Sequence, residues 1–284
     1  MIKHYKLISE YQVKTTSTIQ ITTRLIFAAV LNILAATPAA AQLYSCPRSL
    51  SSRSSEMSFY NSFPKAQIQL VENLARCGTF KSENVKKALL SVDRGDFTTG
   101  SPYMDSPQSI GFGATISAPH MHAAALEQLE SFVMRNNSRV LDVGSGSGYL
   151  AACFAKMVGA GGKVIGIDHI DELVQQSEKN IRKHNADLLD SGTLKLVIGD
   201  GRLGYTSEAP YDAIHVGAAA TEMPKELVEQ LAVNGRMVIP VGKYGNQKFI
   251  QVDKISPTEI RQKTIAAVIY VPLTSREQQL GQPN

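Results

Sequence analysis

The chain has 284 residues, 43% of them apolar and 19% charged, which suits one large globular domain or two small ones with an appendage and excludes wholly disordered or fibrous readings. Lys and Arg number 29 against 25 Asp and Glu, but residues 1–42 hold Lys3, Lys6, Lys14 and Arg24 against Glu10 alone, leaving 25 against 24 in the rest. A body so balanced has little summed field for gripping a phosphate backbone, so no nucleic-acid partner is expected. The three cysteines, Cys46, Cys77 and Cys153, are widely spaced and form no CxxC. They indicate neither a disulfide framework nor a zinc site, and a reducing compartment is the default.

Residues 25–36 (LIFAAVLNILAA) form an apolar run of 12 residues with basic residues before it and Pro38 to Ala41 after it. The run is short for a bilayer span. It resembles a secretory signal with a long leading region, and its Thr/Ser-rich, acid-poor flank also resembles a mitochondrial presequence. Six serines between Ser49 and Ser58 then read as a polar linker. Residues 1–58 are therefore set apart as an extension, and residues 59–284 are expected to form one domain of about 225 residues.

Along that domain, residues 65–76 place Ile68, Val71, Leu74 and Ala75 at helical spacing and stop near Gly78. Ser82 caps a second helix carrying Val85, Leu89 and Val92. Residues 100–119 are rich in Gly, Pro and Ser and are expected to be irregular, in a loop long enough to be functional. After a helix over residues 119–130, short β-branched runs at 139–143, 163–168, 194–198 and 213–216 alternate with helices at 149–158 and 171–185. Such alternation implies right-handed crossovers and a mainly parallel sheet. A helix at 224–231 and strands at 236–240, 249–255 and 265–271 complete a doubly wound α/β architecture with N-terminal helices.

Ligands of such sheets sit outside the carboxyl ends of the strands, where strand order reverses. The turn after the first strand reads Asp142-Val143-Gly144-Ser145-Gly146-Ser147-Gly148-Tyr149. Glycines there let the chain turn tightly and bring backbone to a ligand. Asp168, 24 residues after Gly144, ends the second strand where a carboxylate can accept hydrogen bonds from ribose hydroxyls. Asp200, in Gly199-Asp200-Gly201, follows the third. A lone strand-end Asp is usually a cap or turn residue, but three on one rim beside a glycine turn point to a nucleoside ligand.

A dinucleotide fingerprint would carry Gly or Ala where Tyr149 stands. Asp142 would also repel a pyrophosphate, whereas it would attract the ammonium and sulfonium of S-adenosylmethionine. His120 and His122 suggest a metal pair only superficially, since two loop histidines without further ligands are usually structural. His215, on an apolar strand, reads as a satisfied core histidine, and Cys153 as a small buried hydrophobe.

The segments 103–111, 114–122, 140–148, 166–170, 199–202 and 211–219, with intervals preserved across residues 65–279, resemble the protein-L-isoaspartate (D-aspartate) O-methyltransferases. The resemblance implies a class I S-adenosylmethionine-dependent methyltransferase fold and methyl transfer to the carboxylates of L-isoaspartyl or D-aspartyl residues in damaged proteins and peptides. The ester then collapses through a succinimide, which begins repair. By position it implies that Ser117 is the active-site serine, that Ala114, Thr115, Ile116, Ser117 and His122 lie in the cofactor and acceptor loop, and that Asp142, Gly144, Ser145 and Gly146 hold the methionine part. Asp168 would take the ribose and Asp200 with Gly201 the adenine, while Thr274 and Gln279, at cofactor-contacting positions, would complete the cleft. A monomer in the cytoplasm with no metal and no stable membrane partner is the family expectation. The secretory pathway or mitochondrion is the alternative if residues 1–42 address the chain. Gly113, Asn234, Thr221 and Glu222 depart from the family pattern. A methyltransferase for nucleic acid or a small molecule, or a noncatalytic adaptor, are the competing readings.

Overall fold

The computed structural model describes residues 63–281. The apolar run, the Ser-rich linker and Cys46 lie outside the described residues. Among those described, no helix is long and apolar enough to cross a membrane.

Two helices open the domain, α1 (Lys65–Arg76) and α2 (Glu83–Ser91). Ser82 caps α2 as its sequence position suggests: its hydroxyl accepts from the backbone N–H of Asn84 and Val85 and also bonds Glu130. Helix α3 (Pro119–Val133) begins with Pro119 in the first turn, where its missing N–H costs nothing. Then strands and helices alternate: β3 (Arg139–Val143), α4 (Tyr149–Met157), β4 (Lys163–Asp168), α5 (Asp171–Arg182), a short α6 (Ala186–Asp190), β5 (Leu194–Ile198) and β6 (Tyr211–Val216). The chain continues through α7 (Lys225–Gln230), β7 (Leu231–Val241), β8 (Gln247–Lys254), β9 (Ile260–Val268) and α8 (Arg276–Gln279).

The main sheet has the order β5-β4-β3-β6-β7-β8-β9. Strands β3 to β7 pair in parallel, and β8 and β9 are added antiparallel. Successive residues of β3 point to opposite faces. Val140 accordingly joins a core with α1 to α4, while Leu141 and Val143 join a second core with α7 and the other face of β6 and β7. Asp142 therefore points to the same side as Val140, toward the helical layer that carries α3 and α4.

Among the segments that differ from the sequence expectation, three carry a physical reason. The stretch 100–119 is not wholly irregular, because Gln108–Gly111 and Ala114–Ile116 pair as an antiparallel hairpin, β1 and β2. Its two turn residues, Phe112 and Gly113, both have positive φ, 51° and 69°, as a tight hairpin turn requires. A Phe at such a position hides the turn from a reading based on Gly, Asn and Asp. Gly113, one of the departures from the family pattern, thus sits where a glycine is well suited. Strand β9 begins at Ile260 rather than Ile265, because its first half, with exposed Arg261, Gln262 and Lys263, carries no apolar signal at the sheet edge. Strand β7 starts earlier than Arg236 and passes a register shift around Asn234, whose φ of 62° an Asn tolerates better than most residues.

Candidate active site

Strand order reverses between β3 and β6, since the chain winds outward through β4 and β5 and then returns to β6 on the other side of β3. The peptide N–H groups beyond the strand ends stitch this crevice: Gly144 and Ser145 donate to Ile167 O at 2.9 and 3.0 Å, and Gly217 donates to Val143 O at 2.8 Å. A cavity opens here, lined by Thr115, Ile116, Ser117, His122, Asp142, Gly144, Ser145 and Gly146 among the residues expected from the sequence. Ser147, Tyr149, Leu150, His215 and Gly217 complete the lining.

Asp142 and His215 face each other across the parallel ladder. The His215 Nδ1 donates to Asp142 Oδ1 at 2.7 Å, and both side chains are buried. The other carboxylate oxygen, Oδ2, is buried without a partner, as is the Ser145 hydroxyl. A buried acceptor left unpaired costs free energy that a ligand donor can recover. Gly144, at φ +72°, has nothing within 4 Å of where a Cβ would stand, so its backbone leaves open space beside that oxygen. An unpaired carboxylate oxygen, an unpaired hydroxyl and a bare glycine turn fit the ammonium end of S-adenosylmethionine.

Asp168 ends β4 behind the glycine turn. Its Oδ2 accepts from Gly146 N–H and its Oδ1 from Ile170 N–H, each at 3.0 Å. Burial raises its carboxyl above the usual carboxylate range, opposed by the hydrogen bonds from Ile170 and Gly146. A carboxylate has about four lone-pair sites, so acceptor capacity remains for a ribose hydroxyl. Asp200 stands apart from the cavity and forms a two-pronged pair with Arg202, which holds its carboxyl below the ordinary value. A Cβ on Gly201 would lie 2.6 Å from Val143 Cγ1, so the chain after β5 passes close over the end of β3. On the C-terminal side, the Gln279 amide donates to Phe112 O at 2.9 Å and its Oε1 bonds His169 Nε2 at 2.8 Å, tying the hairpin tip to the end of β4. Thr274 bonds Gln278 and does not line the cavity.

Ser117, between β2 and α3, is held through its backbone. Arg94 Nη2 donates to its carbonyl at 2.7 Å. Its side chain faces Tyr270, whose phenol is raised well above its ordinary value by burial. Tyr270 is in turn fixed by Gln247, which accepts from its N–H at 2.6 Å and donates to its carbonyl at 3.1 Å. His120 and His122 part company: His120 bonds the Asp105 carboxylate, a partner not foreseen from the sequence, while His122 turns to Arg94. Among the described residues no group of three His, Cys, Asp or Glu stands together as a metal site. Cys153 is fully buried and desolvation lifts its thiol to about 12, so it is a poor nucleophile.

Sequence reasoning missed Arg94 and Tyr270, and placed His215 in the core without its ligand-side partner. The alternation Asp142/His215 on adjacent parallel strands was a usable signal for the last. Nothing in the local sequence marks Arg94 or Tyr270. A roomier groove of about 440 Å³, lined by Leu203, Thr206, Ala209, Pro210, Glu226, Glu229 and Gln230, includes none of the switch-point residues and brings two carboxylates but no complementary cation.

A doubly wound sheet with this glycine turn and these strand-end acids defines a class I methyltransferase. Residues 65–278 match the family described as protein-L-isoaspartate(D-aspartate) O-methyltransferase, and the chain belongs to it. A protein-L-isoaspartate O-methyltransferase of Caenorhabditis elegans is 54% identical over 212 residues, covering 74% of this chain and 93% of that one. Protein-L-isoaspartate O-methyltransferase 1 of Arabidopsis thaliana is 54% identical over 214 residues, covering 74% and 92%. A Plasmodium falciparum crystal structure, described as a beta-aspartate methyltransferase in complex with S-adenosyl-L-homocysteine, superposes with a TM-score of 0.68 at 38% identity and covers 73% of this chain and 98% of that one.

Proposed function

We propose that this enzyme methylates the free carboxylate of L-isoaspartyl, and of D-aspartyl, residues in damaged proteins and peptides, which starts their repair through a succinimide. The observation that carries the reading is an unpartnered Asp142 oxygen at the glycine turn in one cavity with Ser117, whose carbonyl Arg94 holds. When bound, S-adenosyl-L-methionine supplies a methyl group on a positively charged sulfur. Asp142, Ser145 and the Gly144–Gly146 backbone would hold its methionine end, Asp168 its ribose, and Asp200 with Gly201 its adenine. A free carboxylate titrates near about pH 4, so the acceptor is already ionised at neutral pH and the chain has no need to supply a strong base. Its task is alignment, for which Ser117 would hydrogen-bond the acceptor.

The finer reading is a monomer in the cytoplasm with neither nucleic acid nor a stable membrane partner. It is supported by the family expectation and the near-neutral charge of the body. The test is methyl incorporation from labelled S-adenosyl-L-methionine by the full chain into matched peptides carrying isoaspartate or ordinary aspartate. Label on the isoaspartyl peptide alone is expected, with Ser117→Ala lowering it. Binding of the cofactor with no label on either peptide would sink the repair reading and move weight to another acceptor or an adaptor role.

A further inference from the structure

Arg94 stands in a single turn of 3-10 helix after α2 and is fully buried. Among the described residues no carboxylate pairs with it, although an arginine is costly to bury without a counter-ion. The Tyr149 ring, 5.3 Å from its Cζ, offsets part of that cost. Among the described residues its guanidinium hydrogen-bonds at two places, in the acceptor loop and the helix that follows: Nη2 to Ser117 O at 2.7 Å and Nη1 to His122 Nδ1 at 3.2 Å. Nε has no partner.

A guanidinium has five donors and no acceptor. The direction of the second bond is therefore fixed, and His122 Nδ1 must be the acceptor. A neutral imidazole that accepts at Nδ1 carries its one proton on Nε2. Protonation of both nitrogens would set an N–H against the guanidinium. Burial first, and then the charges of Arg94, His215 and His120, hold the imidazole well below its ordinary value. The ring is 6% exposed, lines the cavity and sits 5.2 Å from the Tyr149 ring, so it has little freedom to flip.

We propose that Arg94 is a positioning residue for methyl transfer, whose fork sets the Ser117 backbone and commits His122 to the neutral Nε2–H form, a hydrogen-bond donor for a carboxylate in the cleft. The functional part rests on the methyl-transfer reading above; the tautomer does not. Two carboxylates meet the description, that of the cofactor's methionine and that of the acceptor residue. They share the chemistry and are separated by which constant a variant moves.

The first test is the histidine region of proton–nitrogen-15 correlation spectra of the full chain with S-adenosyl-L-homocysteine, which involves no turnover. His122 is expected to show a bare Nδ1 and a protonated Nε2 from about pH 6 to pH 8. The second is Arg94→Lys, which keeps the charge but not the fork, alongside Arg94→Met. Loss of the fork is expected to lower kcat/KM for an isoaspartyl peptide by about tenfold or more. A rise in the cofactor Kd would assign the donor to the methionine carboxylate, and a rise in peptide KM with unchanged Kd would assign it to the acceptor. An Nδ1–H form, an imidazolium at neutral pH, or a folded Arg94→Lys protein with wild-type kcat and both wild-type constants would overturn the proposal. Should both variants fail to fold, the wild-type spectrum decides. A chain that showed the Nε2–H form yet methylated no isoaspartyl peptide would refute the repair reading and leave the tautomer standing.

Discussion

The two walls of the cleft are built differently. The wall formed by the ends of β3, β4 and β6 takes its geometry from the parallel ladder: register places Asp142 beside His215, and Asp168 reaches back to the Gly146 N–H. The opposite wall, formed by the β1–β2 hairpin, Ser117 and the segment after β9, has only the short hairpin ladder and a bridge of two backbone bonds to Ala219 behind it. Side chains from remote parts of the chain supplement these, with Arg94 reaching Ser117 over 23 positions and Gln247 reaching Tyr270 over 23. A long ladder fixes position through many backbone bonds at once, whereas the second wall leans more on side-chain bonds, each separately removable. On the proposed reading the first wall would face mainly the invariant cofactor, and the second would also meet acceptors whose surroundings differ.

The largest effect should come from the ladder wall. Asp142→Asn keeps the size and an oxygen toward His215 but removes the charge offered by the unpaired Oδ2. Loss of a charge-assisted bond of about 1.5–3 kcal/mol is expected to weaken S-adenosyl-L-homocysteine binding by about 10- to 100-fold in calorimetry. Binding unchanged within a factor of about 2 would detach Asp142 from the cofactor.

A smaller effect belongs to His122, at the seam between the walls. Its imidazole is held neutral in the fold well below the ordinary value of 6.5, chiefly by burial. Below that value the unfolded chain takes up a proton that the folded chain refuses, so stability must fall as pH falls. The contribution of one such group approaches about 1.4 kcal/mol per pH unit. Denaturant unfolding between about pH 7 and pH 5 should show a shallower slope for His122→Gln than for the parent chain. Equal slopes would mean that His122 is protonated in the folded protein.

The same contrast explains what could be read from the sequence. The ladder wall was legible because its signals are local: β-branched runs, a glycine turn and an acid at each strand end. Asp142, Gly144, Ser145 and Gly146 line one cavity, with Asp168 hydrogen-bonded behind them. Only His215 was undervalued there, since its partner lies 73 positions away and is met through strand order. The second wall was legible chiefly through family resemblance. A hairpin whose turn begins with Phe112, an edge strand with an exposed polar first half, and a buried arginine without an acid beside it each depend on distant contacts. No periodicity within a short window reports such contacts.

The division of labour between the walls is tested most directly by measuring S-adenosyl-L-homocysteine Kd and isoaspartyl-peptide kcat/KM together in Asp142→Asn and Tyr270→Phe. Tyr270→Phe removes only the hydroxyl that faces Ser117; for a contact of about 1 kcal/mol, peptide kcat/KM should fall about fivefold while the cofactor Kd stays put. Asp142→Asn should move the cofactor Kd. If Tyr270→Phe weakened the cofactor as much as it slowed the peptide, the two walls would be one site and the account would be wrong.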